Sequence, residues 1–443
     1  MGSHHHHDIN LDERYEFSSE GKKRVLLGVG VGLLMFILGI VMLAMGVGEH
    51  HAAPAEGHHA AAEGGHHAFN WMSRVWANLW LNGVFFTGIS VIGLFFVAFQ
   101  YAAWAGWSAG LKRVPEAFAS FLPVTFVVLL VTFLVGGHDL FHWTHHDLYE
   151  KFLADGKTPN PEYDAILDGK KGFLNTPFYL IRMVAFFGLW YLMFTLIRKE
   201  SLKEDNAAKG DFSHYNKLIT LSAVFLVIFA VSSSISAWDW VMSIDPHWYS
   251  TLFAWYMFAS WFVSGLATIT LATILLKERG YLRHINENHL HDLGKFMFAF
   301  SVFWTYLWFA QFLLIYYANI PEEAIYFIER RDGFNGHYTG LFFFNIVINF
   351  LFPFLTLMTR DAKRKTIFLK IVAIAILIGH WLDFYMMMMP GMLKEHSGFG
   401  FVEFGGILFF ASLFIYVIST TISKAPLVAK NHPMLEESIH LDT

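Results

Sequence analysis

LITLSAVFLVIFAVSSSISAWDWVMSIDPHW, Leu218 to Trp248, decides the class of fold. Its first part is a run of some twenty largely apolar residues, the length a helix needs to cross a hydrocarbon core of about 30 Å. The run then ends in Asp239, Asp245 and His247, set among Trp238, Trp240 and Trp248, with Pro246 to stop it. Tryptophans favour a membrane edge, and acids near lipid are costly. The stretch therefore reads as a transmembrane helix running into a polar, water-facing turn.

The rest of the chain repeats the pattern. Runs of this kind occur near 25–47, 75–101, 117–136, 177–197, 218–238, 249–276, 296–319, 338–358, 367–389 and 402–422. Only 15% of the 443 residues are charged, against roughly 25% in soluble proteins. The 47 phenylalanines and 15 tryptophans far exceed what one soluble core uses. These features predict an all-α polytopic membrane protein with ten spans. Residues 1–24 form an N-terminal segment, 25–422 the membrane domain and 423–443 a tail.

With the N-terminus placed inside, 22 of the 31 Lys and Arg fall in inside segments. The positive-inside rule thus predicts that both termini are cytoplasmic. The first apolar run, from Val25, is too long for the h-region of a cleavable signal. The opening MGSHHHH is set aside from site reasoning. Two connections on the outer side are long, 48–74 and 137–176. In the first, EHHAAPAEGHHAAAEGGHH repeats paired histidines about every eight residues, as a flexible polar loop or a metal-binding tract would. Spans 2–5 and 6–9 read as two similar four-helix units, because spans two and six share an aromatic-then-small spacing.

There is no cysteine. That excludes disulfides, iron–sulfur ligation by this chain and covalent c-type haem, which needs CxxCH. A bis-histidine haem needs a second mid-span histidine facing His380, and the sequence offers none. No metal or covalent cofactor is therefore expected on this chain.

The ionisable groups within the spans gather at one depth. The third span exits through GGHDLFHWTHH, where His138 and His142 share a face if the helix continues, beside Asp139. Arg182 lies roughly 7 Å into the fourth span, at 1.5 Å per residue. Asp239 ends the fifth span, Asp245 and His247 follow it, His380 and Asp383 share a face of the ninth, and Glu403 opens the tenth. The inner halves are expected to hold hydroxyls and no carboxylate.

Such a set at a water-facing edge suits oxidation of a hydroquinone, which sheds two protons as two electrons leave. Asp239 and His138 are the candidate proton acceptors, and Arg182 is their electrostatic partner. Asp139, His142, Asp245, His247, Asp383, His380 and Glu403 form the candidate proton path. Plainer roles compete. Asp245-Pro246 reads as a helix N-cap with proline in the first turn, and Arg182 can simply neutralise Asp239. The tryptophans form an interfacial belt, Asn345 and Asn349 hydrogen-bond between helices, and the MMMMP run fills space.

The segment AWDWVMSIDPHWYSTLFAWY, together with the GGHDLFHW exit, resembles the F-type membrane subunit of bacterial alternative complex III, in the polysulfide-reductase-type (NrfD-like) superfamily. The resemblance implies two four-helix bundles plus two further helices, in a quinol:cytochrome c or high-potential-acceptor oxidoreductase of the bacterial inner membrane. It implies quinone or quinol as ligand, with haem c and iron–sulfur clusters held by partners. Those partners are a sister membrane subunit, an iron–sulfur protein and multi-haem cytochrome c subunits, with a terminal oxidase as a further one; lipid surrounds the chain, and nucleic acid is not expected. The residue types at His138, Asp139, Arg182 and Asp239 match the superfamily's quinone-site types. The alternatives are a catalytically silent scaffold, which would close Asp239 against Arg182 in a dry bundle, and a secondary transporter, which would favour broken helices and a midplane site.

Overall fold

The computed structural model describes residues 10–46, 70–153, 155–208 and 210–442. Most of the histidine-rich 48–74 loop lies outside these. Among the described residues, ten helices are long and apolar enough to cross a membrane, so this is a multi-pass, all-α membrane protein. They are α1 (Ser19–Ala44), α2 (Trp71–Ala102), α3 (Leu122–Leu140), α4 (Thr176–Glu204) and α5 (Ser213–Trp240). The second half holds α6 (Phe253–Glu278), α7 (Glu287–Ala318), α8 (Thr339–Thr356), α9 (Thr366–Leu393) and α10 (Phe401–Ile422).

Capping fixes where several of them begin. The Ser18 hydroxyl accepts from the Gly21 amide, the Asn70 side chain from Met72, and the Asn175 side chain from Phe178. These bonds satisfy amide donors that a first turn leaves open.

Helices α2, α3, α4 and α5 pack in a ring, and α6, α7, α8 and α9 close a second ring in the same order. The expected pair of four-helix bundles is thus present, with α1 and α10 packed on each other outside it. Helices α2 and α6 meet at the centre. A Cβ on Gly88 would lie 1.8 Å from Trp261 Cδ1, and one on Gly265 would lie 2.1 Å from Ile92 Cγ2. Only glycine permits this approach, which buries most of α2, Asn78 and Asn82 included. Packing between spans uses such small residues because lipid supplies no hydrophobic drive.

The same device joins α1 to α10, where a Cβ at Gly32 would sit 2.4 Å from the Phe409 backbone nitrogen. Backbone cannot yield as a side chain can, so Gly32→Val should overpack this contact and cost about 1–3 kcal/mol. Unfolding in mild detergent checks it, and an unchanged midpoint would contradict the packing.

The two ends of the bundle differ. One, the loop end, carries residues 141–175. At the other, the tail end, the segment before α1 meets the segment after α10: the Leu427 amide donates to Glu13 O at 2.8 Å, and Lys430 pairs with Asp12. Several helices outrun their apolar stretches here, which corrects one expectation. The tail-end half does hold carboxylates, namely Glu116, Glu200 and Glu204, each no more than 4% exposed. Lys112 pairs with Glu204 at 2.7 Å, Arg113 with Asp205 at 2.6 Å, and Arg198 with Glu116 at 3.2 Å.

Candidate functional site

In the first bundle, α4 and α5 bring Arg182 and Asp239 together. Arg182 Nε donates to Asp239 Oδ2 at 2.6 Å and Nη2 to Oδ1 at 2.7 Å. Both residues are buried, at 6% and 1% exposed. The guanidinium lies 4.1 Å from the centres of both the Phe173 and Phe178 rings, and its Nη1 has no hydrogen-bond partner. Planar guanidinium matches planar carboxylate, and aromatic faces cover what remains. This is the closed pair that a structural role calls for.

The second bundle solves the same problem without a cation. Its fully buried Asp383 accepts from four neutral donors. The Tyr256 hydroxyl and Asn345 Nδ2, the latter at 2.8 Å, reach Oδ1. The Ser260 hydroxyl at 2.6 Å and Trp304 Nε1 at 2.9 Å reach Oδ2. Asn349 Nδ2 donates to Asn345 Oδ1 at 2.6 Å, which turns the Asn345 amide toward Asp383. Asn345 bonds between helices as expected, but Asn349 bonds only within its own helix, where it sits in a π-helical turn, Val347–Leu351, that interrupts α8. Such turns often mark functional positions. Beside this cluster is His380, wholly buried, with Nδ1 at 3.7 Å from Asp383 Oδ2 and neither ring nitrogen hydrogen-bonded.

The two aspartates occupy matching places. Asp239 stands seven residues before Pro246, and Asp383 stands seven before Pro390, with a methionine at the third position after each. Arg182 follows Thr176 by six residues, as Asn345 follows Thr339. The D-x-x-M-x-x-x-P echo was readable in the sequence and would have put Asp383 level with Asp239.

His138 lies elsewhere. Helix α3 stops at Leu140, because Phe141 turns extended at φ −120° and ψ 103°. His138 and His142 therefore do not share a continuing helical face. They do line one loop-end cavity, together with Asp139, His145, Asp245 and His247. The His138 and His145 ring centres are 3.8 Å apart, and His145 Nε2 donates to His138 O at 2.9 Å. His247 bonds to Asp164, whose acidity this and the Leu167 amide increase despite partial burial. Among the described residues, no group of three or more His, Asp and Glu is arranged to hold a metal ion.

Partial burial, and then the His138 ring, push the His145 pKa down against the pull of its bond to His138 O. A depressed folded-state pKa gives stability that is full above the unfolded value of about 6.5 and is lost as pH falls through the folded value. The unfolding midpoint should therefore drop on acidification below about pH 6.5, and His145→Asn should flatten part of that drop. An identical pH slope in the variant would contradict this placement.

Asp245 caps no transmembrane helix. It follows the short turn Met242–Ile244, while α6 begins only at Phe253. Its carboxylate instead accepts from Arg330 Nη2 at 2.8 Å. Arg330 belongs to a surface helix, Pro321–Arg331, and in the sequence it was only a loop charge. Proline 390 has no N–H, so Met386 O lacks its helical donor; Arg330 Nε supplies one at 3.0 Å. Gly391 clears the space, since a Cβ there would sit 2.5 Å from Asp245 Oδ1.

Glu403 is also fully engaged. Arg74 Nε and Nη2 reach it at 2.8 and 2.9 Å, and Asn78 Nδ2 does so at 3.0 Å. Its Oε2 takes the Gly400 amide as well, at 2.7 Å. That geometry clamps α10 to α2.

The chemistry of the two aspartates follows from their partners. Arginine has donors only, so a proton on Asp239 would displace one of two good bonds. Hydroxyls can donate or accept, so Tyr256 and Ser260 can serve Asp383 with or without a proton. Comparison with protein-family models and with curated proteins gives no match, so this site is read from its own residues.

Proposed function

We propose that this chain is the membrane subunit of a respiratory quinol:high-potential-acceptor oxidoreductase, of the type its 237–256 segment resembles. In that reading the loop end faces outward and both termini are cytoplasmic, as the basic residues at the tail end favour. Quinol gives up two electrons to haem c or iron–sulfur centres of partner subunits and two protons to water on the outer side. The observation that carries the reading is Asp383: a buried carboxylate held by neutral, partly reversible donors, next to a buried imidazole with both nitrogens open.

Buried polar groups normally find partners, and an intramembrane ionisable residue is a functional candidate by default. Asp383 and His380 thus take the role of proton acceptors that the sequence had assigned to Asp239 and His138. Arg182–Asp239 becomes the structural counterpart in the other bundle. The loop-end cavity, with Asp139, His142 and His247, gives released protons a wet exit.

The closed Arg182–Asp239 pair is also what a silent scaffold would contain, and Asp383 is what separates the two readings. The test is isolation of the chain from its native membrane in mild detergent. The account expects covalent haem and iron–sulfur signals in the preparation, with quinol oxidation by an added acceptor. A preparation free of haem and clusters, and inert toward quinol, would overturn it.

A further inference from the structure

We infer that a crevice at the tail end, where α8 stops and α9 starts, holds the headgroup of a phospholipid that carries both a phosphate and an ammonium, of the ethanolamine class. The crevice has a free volume of about 490 Å³ and is lined by Leu355, Thr356, Thr359, Asp361, Lys365 and Phe368. That volume falls within the roughly 300–1,000 Å³ of small-molecule sites. Span length sets its depth. Helix α8 covers 18 residues, the shortest span among the described residues, and so rises only about 27 Å. A hydrocarbon core is about 30 Å thick, and a span shorter than the core draws headgroups inward.

Asp361 and Lys365 bring opposite charges to this one crevice. The Lys365 amide donates to Asp361 O at 3.2 Å, which sets the two residues on a single turn. Among the described residues, their side chains pair neither with each other nor with any other charge. Neighbouring cations are committed. Lys363 Nζ donates to Leu357 O at 2.7 Å and Met358 O at 3.1 Å, Arg364 Nη2 to Asn288 Oδ1 at 2.7 Å, and Lys370 pairs with Glu278 at 2.6 Å. Thr359 Oγ1 accepts from the Ala362 amide at 3.3 Å, so its proton is left to donate, and Thr356 adds a second hydroxyl.

A simple anion is poorly matched, because the Asp361 carboxylate would repel it. An ethanolamine headgroup matches both signs. Its phosphate takes Lys365 and the threonine hydroxyls, and its ammonium donates to Asp361. A choline headgroup has no N–H to give. Leu355 and Phe368 are exposed on either side, and Leu351 and Ile371, one turn further into the span, are exposed as well. They form an apolar wall for the acyl chains. This crevice is remote in sequence from the residues that hold Asp239, and it asks nothing of the quinol reading.

The experiment is native mass spectrometry of the intact protein in detergent, titrated with phosphatidylethanolamine, phosphatidylcholine and phosphatidylglycerol of matched chains. Phosphatidylethanolamine should be retained about two- to fivefold more strongly than either of the others, the worth of one exposed charge pair. Asp361→Asn should erase that preference, and Lys365→Met should weaken all three lipids alike. Both positions are exposed, and thermal melts check that the variants fold. A photoactivatable phosphatidylethanolamine should label the 355–368 segment. Equal retention of the three lipids, a preference that survives Asp361→Asn, or label confined to other segments would overturn the site.

Discussion

Arg182→Ala is expected to lower the stability of the protein by about 3–5 kcal/mol, the cost of leaving one member of a buried ion pair behind. Asp239 would lose both donors, at 2.6 and 2.7 Å, in a site that is 1% exposed. Phe173 and Phe178 would also lose the guanidinium they enclose. Arg182→Lys should recover only part, since an ammonium cannot span both carboxylate oxygens. The pair exchange Arg182→Met with Asp239→Leu should recover most, because apolar side chains of similar volume often replace a buried ion pair without loss. Denaturant titration in detergent measures all three. Wild-type stability in Arg182→Ala would mean that the pair does not hold the first bundle together.

Asp383→Asn is expected to lower quinol:acceptor turnover by about 100- to 10,000-fold, the range of general acid–base catalysis. The substitution keeps the shape and removes the proton site. It also points an amide N–H₂ at a position where Ser260 and Trp304, or Tyr256 and Asn345, now donate. A donor facing donors should cost a further ~1–3 kcal/mol of stability. Turnover must therefore be measured in complexes matched for haem content. Asp239→Asn is expected to act mainly on stability, since a single amide oxygen can replace only one of its two bonds to Arg182.

How much of this could be read from the sequence follows from what each signal reports. Apolar runs report contact with lipid or core, so the ten spans were legible; the two-bundle plan was legible only in the spacing that spans two and six share and in the resemblance. The same runs say little about where helices end. Helix α4 continues to Glu204 because polar residues can stay helical beyond lipid. The buried tail-end network was hidden for that reason. Partner choice is non-local: Arg330 and Asp245 are 85 residues apart, and nothing in either neighbourhood names the other. The Arg182–Asp239 pair was foreseeable because two opposite charges sat at one depth. Asp383 was seen but ranked below Asp239, since its four neutral donors are ordinary residue types on three other helices. The repeated Asp-to-Pro spacing was the available clue.

The most direct measurement is an infrared difference spectrum of the assembled complex on addition of quinol, recorded for wild type, Asp383→Asn and Asp239→Asn. A carboxyl band should appear as the proton is taken up, vanish in Asp383→Asn and persist in Asp239→Asn. A band that persists in Asp383→Asn and vanishes in Asp239→Asn would return the proton to the first bundle and contradict the account.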